Sequence, residues 1–253
     1  MTTAASTTPL SRYLDEGYHR IAGWLHRPAV DVTLALGELQ RAAGRLGPVC
    51  EIGVWQGRYL TLLSFIGAPD APIVGIDPFI HVADRDRQIA SMLHNLASYA
   101  ASPERARILE RSSTAVTAEE LLAIGGPFQF ISVDGDHTMR GCLHDLHLAQ
   151  QVVAPGGIVA VDDICNMSCP GVVEATVRYG VTPGATLKPF AIVGNKLFMT
   201  DQAHCAEYRS ALLARARAGA LGEASRSIAD FSARMESLGV PVEMLDEPVL
   251  VAA

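Results

Sequence analysis

The chain has 253 residues, 49% hydrophobic and 19% charged, with a net charge of −7. That balance excludes a disordered polymer and argues against a protein that holds nucleic acid or an anionic membrane through charge alone. The length suits one α/β domain with additions, and no apolar run approaches the roughly 20 residues of a membrane-spanning helix. The five cysteines, Cys50, Cys142, Cys165, Cys169 and Cys205, are an odd set without C-x-x-C spacing, so they read as reduced thiols in a cytoplasmic protein. The opening stretch, MTTAASTTPLSRYLDE, lacks a basic segment followed by an apolar one, and no secretory signal is expected.

Residues 1 to about 9 are small and polar and should fray. Tyr13, Tyr18, Ile21 and Leu25 recur at helical spacing and predict a helix over 11–27, interrupted by Pro28. A second helix is expected over 30–46, stopped by Gly47-Pro48. These two form an N-terminal helical cap, 1–47, in which Tyr13, Tyr18 and Trp24 serve either as core or as a contact in a homo-oligomer. The α/β core, 48–253, then alternates strands at 48–53, 73–77 and 106–110 with helices at 58–66, within 84–101 and at 117–124. A strand–helix–strand unit follows, then a helix at 172–179 and an antiparallel hairpin, 186–193 with 196–200, turning at Gly194-Asn195. Residues 201–238 are expected to form a helix pair, with VPVEML as a last strand. The fold class is a Rossmann-like, mostly parallel sheet.

The stretch from Pro127 to Asp163 organises the rest. FQFISVD ends at Asp134, GGIVAVDD ends at Asp162 and Asp163, and a helix-length segment from Thr138 to Val153 lies between them. Such a unit makes parallel strands with a right-handed crossover, so both carboxyl ends reach one edge of the sheet, where open α/β sheets bind ligands. Three carboxylates gathered there repel one another, and a divalent cation is the usual remedy.

At the first strand-to-helix turn stands Glu51-Ile52-Gly53-Val54-Trp55-Gln56-Gly57. Its glycines let a ligand approach the backbone, but Trp55 occupies the place of the second glycine in a G-x-G-x-x-G fingerprint. The turn therefore suits a ligand without a phosphate there, such as an adenosyl amino acid, better than a nicotinamide dinucleotide. Asp77, closing the second strand, is spaced to accept ribose hydroxyls. Arg111, Ser112 and Ser113 after the third strand are placed to frame an adenine.

These motifs resemble a class I S-adenosylmethionine-dependent methyltransferase over roughly residues 48–200. The pattern VDGDH…APGG…DD is similar to the metal-dependent sugar O-methyltransferases of the macrocin and mycinamicin type. The resemblance implies S-adenosylmethionine on Glu51, Gly53, Gly57, Asp77, Ser113 and Asp134, and Mg²⁺ on Asp134, Asp162 and Asp163. It also implies a carbohydrate-containing small-molecule substrate. Catechol-type enzymes of the same fold end their metal triad in Asp-Asn, whereas this chain has Asp-Asp. The general base implied is Asp136 or His137. The ordinary imidazole pKa favours His137, with His144 two helical turns further on as a reserve. A catechol-like methyltransferase and a non-methylating protein of the cephalosporin hydroxylase kind share enough of these features to stand as alternatives.

Overall fold

A computed structural model of the chain describes residues 8–80, 83–239 and 241–252. The frayed start expected over residues 1–9 lies almost wholly outside them. The first helical segment runs in three short pieces, Pro9–Arg12, Tyr13–Gly17 and Tyr18–Arg20, of which the middle one is π-helical. It ends earlier than its apolar spacing suggests, because Ile21 turns extended and Gly23 takes φ +141°. Pro28 does not interrupt a helix but opens one. Helix α1 spans Arg27–Ala42 with the proline in its first turn, where the missing N–H has no helical partner to lose.

The remaining elements follow the alternation read from the sequence. They are β1 (Val49–Ile52), α2 (Arg58–Leu63), β2 (Ile73–Ile76), α3 (Arg85–Tyr99), β3 (Ala106–Leu109), α4 (Ala118–Ile124), β4 (Phe128–Val133), α5 (Met139–Val152) and β5 (Val153–Val161). Then come α6 (Pro170–Gly180), the hairpin β6 (Leu187–Val193) and β7 (Lys196–Asp201), and the helix pair α7 (Gln202–Arg217) and α8 (Ala224–Leu238). The expected strand VPVEML contributes only β8 (Glu243–Met244), paired with β9 (Glu247–Pro248) in a separate two-stranded ribbon. The strand that joins the main sheet is β10 (Leu250–Ala252), which the sequence reading did not anticipate.

The main sheet has the order β10-β6-β7-β5-β4-β1-β2-β3. All its pairings are parallel except those of β7 with β5 and β6. The chain winds outward from β1 to β3, then returns to β4 on the other side of β1, which makes the β1/β4 boundary the topological switch point. Alternate residues feed two cores. Val49, Phe130, Ile158, Ala160 and Phe198 pack on one face, and Cys50, Ile52, Ile131, Val133, Val159 and Leu197 on the other. Helix α1, in the N-terminal helical segment, packs on the sheet as part of the first core through Val30, Val32 and Leu36. Tyr13 is likewise fully buried, whereas Trp24 is 86% exposed.

Register aligns the carboxyl ends. Ile52 pairs with both Ile76 and Val133, and Val133 with Val161. Beyond them the ladder continues, Gly53 N–H donating to Ile76 O (2.8 Å), Asp134 N–H to Ile52 O (2.8 Å) and Asp162 N–H to Val133 O (3.0 Å). Gly53, Asp77, Asp134 and Asp162 thus stand in one row across four strands. At Gly53 (φ +89°) the backbone of Asp134 comes so near that a Cβ would overlap its carbonyl oxygen. That glycine is demanded by strand contact, not by a ligand. At Gly57 (φ +80°) a Cβ would meet Met92 Cγ at 3.4 Å, an ordinary separation, so only the left-handed conformation ahead of α2 favours glycine. Gly53→Ala should therefore cost more than about 4 kcal/mol or abolish folding. Gly57→Ala should cost about 1–2 kcal/mol, the left-handed penalty alone. Urea unfolding of the two variants measures the difference.

Candidate active site

The turn after β1 is held from three sides. Trp55 N–H donates to Asp77 Oδ2 (2.8 Å), and Gly57 N–H to Val54 O (2.8 Å). From α3, Asn95 Nδ2 donates to Gln56 O (2.9 Å) and Gln88 Nε2 reaches Trp55 O (3.4 Å). Trp55 itself has φ +51°. Asp77 also takes Phe79 N–H on Oδ1 (2.7 Å), so each of its oxygens holds one backbone donor and keeps one lone pair free. It braces two loops as well as offering an acceptor to a ribose.

Period-two alternation turns Glu51, Ser132, Asp134, Asp162 and Lys196 toward the same face of the sheet, where they form a polar stripe at the end of an apolar core. Glu51 is 2% exposed, and its Oε2, like Ser132 Oγ, has no hydrogen-bond partner among the described residues. Burial, then the negative charges of Asp134 and its neighbours, hold the Glu51 carboxyl well above the usual carboxylate range. Lys196, 1% exposed, places Nζ 2.7 Å from Asp162 Oδ2 and 4.2 Å from the centre of the Tyr59 ring. The contact with Asp162 is one of charge, at an angle outside hydrogen-bond geometry. Burial opposes ionisation of Asp162, but Lys196 outweighs it and the carboxyl lies below its usual range. Asp134 goes the other way: burial and the facing Asp162 push it up to about 7.

Asp163 is turned away from this stripe by its left-handed backbone (φ +61°). Its Oδ1 accepts amide hydrogens from Asn166 and Asn195, both at 2.8 Å. Its Oδ2 lies 3.2 Å from His137 Nε2 and 3.7 Å from Cys169 Sγ. His137 Nε2 is also 3.4 Å from Asp134 Oδ1, and Nδ1 is 3.4 Å from Cys169 Sγ. The imidazole therefore bridges two of the aspartates expected to hold Mg²⁺, and Lys196 engages the third. Among the described residues, the donors that come within 4.8 Å of one another as a set of three belong to His137, Asp163 and Cys169. Asp134, Asp162 and Asp163 do not form such a set, and one nitrogen, one oxygen and one sulfur are not the all-oxygen shell that Mg²⁺ prefers. The residues present do not fit Mg²⁺ as the resemblance implied.

Of the two candidate bases, Asp136 is occupied. It accepts Thr138 N–H on Oδ1 (2.9 Å) and the Thr138 hydroxyl on Oδ2 (3.0 Å), bracing the entry to α5. His137 is 43% exposed and free to meet a ligand. Its hydrogen bond with Asp134, followed by the charges of Asp134 and Asp163, outweighs burial and raises its pKa above the ordinary imidazole value. His144 is not its partner on a helix face, because α5 begins only at Met139; His144 Nε2 instead meets Ser113 O at 3.3 Å. Ser113 and Glu51, both expected to face the cofactor, are buried at 9% and 2% exposure. Gly57 acts through the turn conformation.

The profile of a methyltransferase domain family matches residues 50–164, from β1 through the last acid of the row. Over those residues, somewhat under half of its length, the chain is similar to that methyltransferase domain family, and its sheet has the Rossmann-like methyltransferase fold. Solved structures of similar fold include the O-methyltransferase NovP, with 19% identity, 68% of this chain and 80% of that chain covered and a TM-score of 0.54. An O-methyltransferase from Bacillus cereus in complex with SAH aligns with 13% identity, 78% and 92% coverage and a TM-score of 0.55. CalS11, a TDP-rhamnose 3'-O-methyltransferase, aligns with 17% identity, 78% and 88% coverage and a TM-score of 0.52. No curated protein sequence matches the chain. In this domain the turn around Trp55 depends on Asp77. Asp77→Ala leaves two backbone N–H groups unpaired and should lower stability by about 1–3 kcal/mol. Asp77→Asn, which keeps one acceptor, should lose less when the two are compared by denaturant unfolding.

Proposed function

We propose that this protein transfers the methyl group of S-adenosylmethionine to a hydroxyl of a glycoside or oligosaccharide, with His137 as general base. The observation that carries the reading is the position of His137. It is a solvent-reachable imidazole oriented by two carboxylates, directly beyond the β1/β4 switch point of a methyltransferase sheet. The cofactor would lie along the turn from Gly53 to Trp55. Its ribose hydroxyls would reach the free lone pairs of Asp77, and its sulfonium would sit near Asp134. The braced turn exposes no glycine-rich cradle for a pyrophosphate, which disfavours a nicotinamide dinucleotide.

The acceptor hydroxyl gives up its proton to His137 Nδ1 as its oxygen attacks the sulfonium methyl, because Nε2 faces the Asp163 and Asp134 carboxylates and keeps its own proton toward them. The carbon–sulfur bond breaks, and S-adenosylhomocysteine leaves as a neutral thioether. Asp163 fixes the imidazole while its own Oδ1 is held by two amides, and Asp134 and Asp163 stabilise the imidazolium that forms. Positioning of the two reactants supplies the remainder, and no covalent enzyme intermediate is needed. No step runs through Mg²⁺. The sugar acceptor is supported by the family resemblance and by an exposed indole beside the cofactor turn. Trp24 stands with its ring centroid 6.4 Å from that of Trp55, a flat apolar surface suited to the C–H face of a pyranose.

Transfer of a labelled methyl group from S-adenosylmethionine should occur to glycosides and not to catechols in an acceptor screen; transfer to catechols alone would select the other acceptor class. His137→Gln should lower kcat by about 10²–10⁴ while leaving calorimetric affinity for S-adenosylhomocysteine unchanged. Because the base must be neutral, and its carboxylate neighbours raise its pKa, the wild-type rate should rise with pH through an inflection above the ordinary imidazole value. Asp163→Asn or Asp134→Asn should move that inflection downward, toward roughly 6.5.

A further inference from the structure

We propose that Lys196 is the resident cation of the acid row, standing where a divalent metal would otherwise balance Asp134 and Asp162. The inference rests on the methyltransferase reading only for its consequence, that the transfer proceeds without an added metal. Three observations support it.

The first is placement. β7 runs antiparallel to β5 with Leu197 opposite Val161, so Lys196 falls beside Asp162, one step beyond the strand end and on the face that carries Glu51, Ser132 and Asp134. The hairpin turn at Gly194-Asn195 fixes that register, and Gly194 with φ +54° and Asn195 with φ +73° hold the turn. The second is depth. Nζ is enclosed at 1% exposure between the Asp162 carboxylate at 2.7 Å and the Tyr59 ring at 4.2 Å, whose hydroxyl is tied to Thr33 at 2.8 Å. An ammonium so far from water persists only when paired, and a side chain packed this way cannot leave to admit another ion without vacating a charged cavity.

The third is occupancy. Lys196 Nζ lies 2.7 Å from Asp162 Oδ2, and Glu51 is buried at 2% exposure on the same face of the sheet. On the solvent side Asp163 faces His137, and both oxygens of that carboxylate already have partners. Asp162 and Asp163, two of the three expected metal ligands, are thus already engaged by side chains of the protein. Lys196 acts as a positioning residue: its ammonium holds the Asp162 carboxylate in place beside Asp134, whose Oδ1 faces His137 Nε2 at 3.4 Å.

The test uses full-length protein stripped with EDTA. Mg²⁺, Mn²⁺ and Zn²⁺ are titrated by calorimetry, bound metal is counted after dialysis, and melting temperature and affinity for S-adenosylhomocysteine are recorded with and without each ion. The wild type should bind none of the three stoichiometrically, with melting temperature and affinity unchanged. Lys196→Met should melt lower than wild type and recover part of the loss on addition of Mn²⁺, because an ion that binds only the folded state raises its stability. Stoichiometric binding of any of the three ions by the wild type overturns the proposal, as does a Lys196→Met protein that folds and melts like wild type in EDTA. Should that variant fail to fold, the wild-type metal count decides alone. Failure of the wild type to bind S-adenosylhomocysteine would instead strike the methyltransferase reading, leaving the metal count to judge Lys196.

Discussion

A buried ammonium 2.7 Å from a carboxylate is the interaction on which the chemistry of this site turns. Once Lys196 is paired with Asp162, the remaining acids cannot behave as an open ligand set. Asp134, its side chain 23% exposed, is left facing an ionised neighbour, and desolvation with that charge pushes its pKa up to about 7. The solvent-side pair, Asp163 with His137, becomes a separate unit that can accept and return a proton. One ion pair thus divides a single acid row into a structural half and a chemical half.

The sheet makes that division possible. Parallel strands finish level because their register is continuous from Ile76 through Ile52 and Val133 to Val161. The contact between Gly53 and the Asp134 backbone closes the gap at the switch point. The antiparallel β7 then inserts a residue from far along the chain beside a strand end fixed much earlier. The cost of a buried charge is offset by its pairing, its ring contact and the rigidity of the hairpin that delivers it. Asn195 serves both halves, since its backbone lies in the turn that positions Lys196 and its side-chain amide donates to Asp163 Oδ1.

Much of this architecture was legible in the sequence because it is local. Alternating apolar residues and turn glycines gave nearly every strand and helix of the core, and D…DD at strand ends marked the edge. The hairpin turning at Gly194-Asn195 was equally plain. Its consequence was not, because the neighbour of Lys196 is set by antiparallel register across β5 and β7 and not by spacing along the chain. Counting alternation inward from Val161 and from the turn would have placed a lysine opposite Asp162. The role of Asp136 as a brace depended on the start of α5 at Met139, and a boundary shift of one residue separates a free carboxylate from a capping one. β10 was missed because a three-residue strand carries too little periodicity to stand out. Which face of the sheet helix α1 covers was not legible, because its apolar face gives no sign of the layer it meets.

The central claim is that a lysine and a histidine of the chain, and not a metal, organise the acids beside a methyl donor. A crystal structure of the protein grown with S-adenosylhomocysteine and Mg²⁺ tests it most directly. The account predicts the cofactor along Gly53 to Trp55 with its ribose on Asp77. It also predicts His137 as the ionisable side chain nearest the sulfur and Lys196 still on Asp162. A divalent ion bridging Asp134, Asp162 and Asp163, with Lys196 displaced from the row, would contradict it.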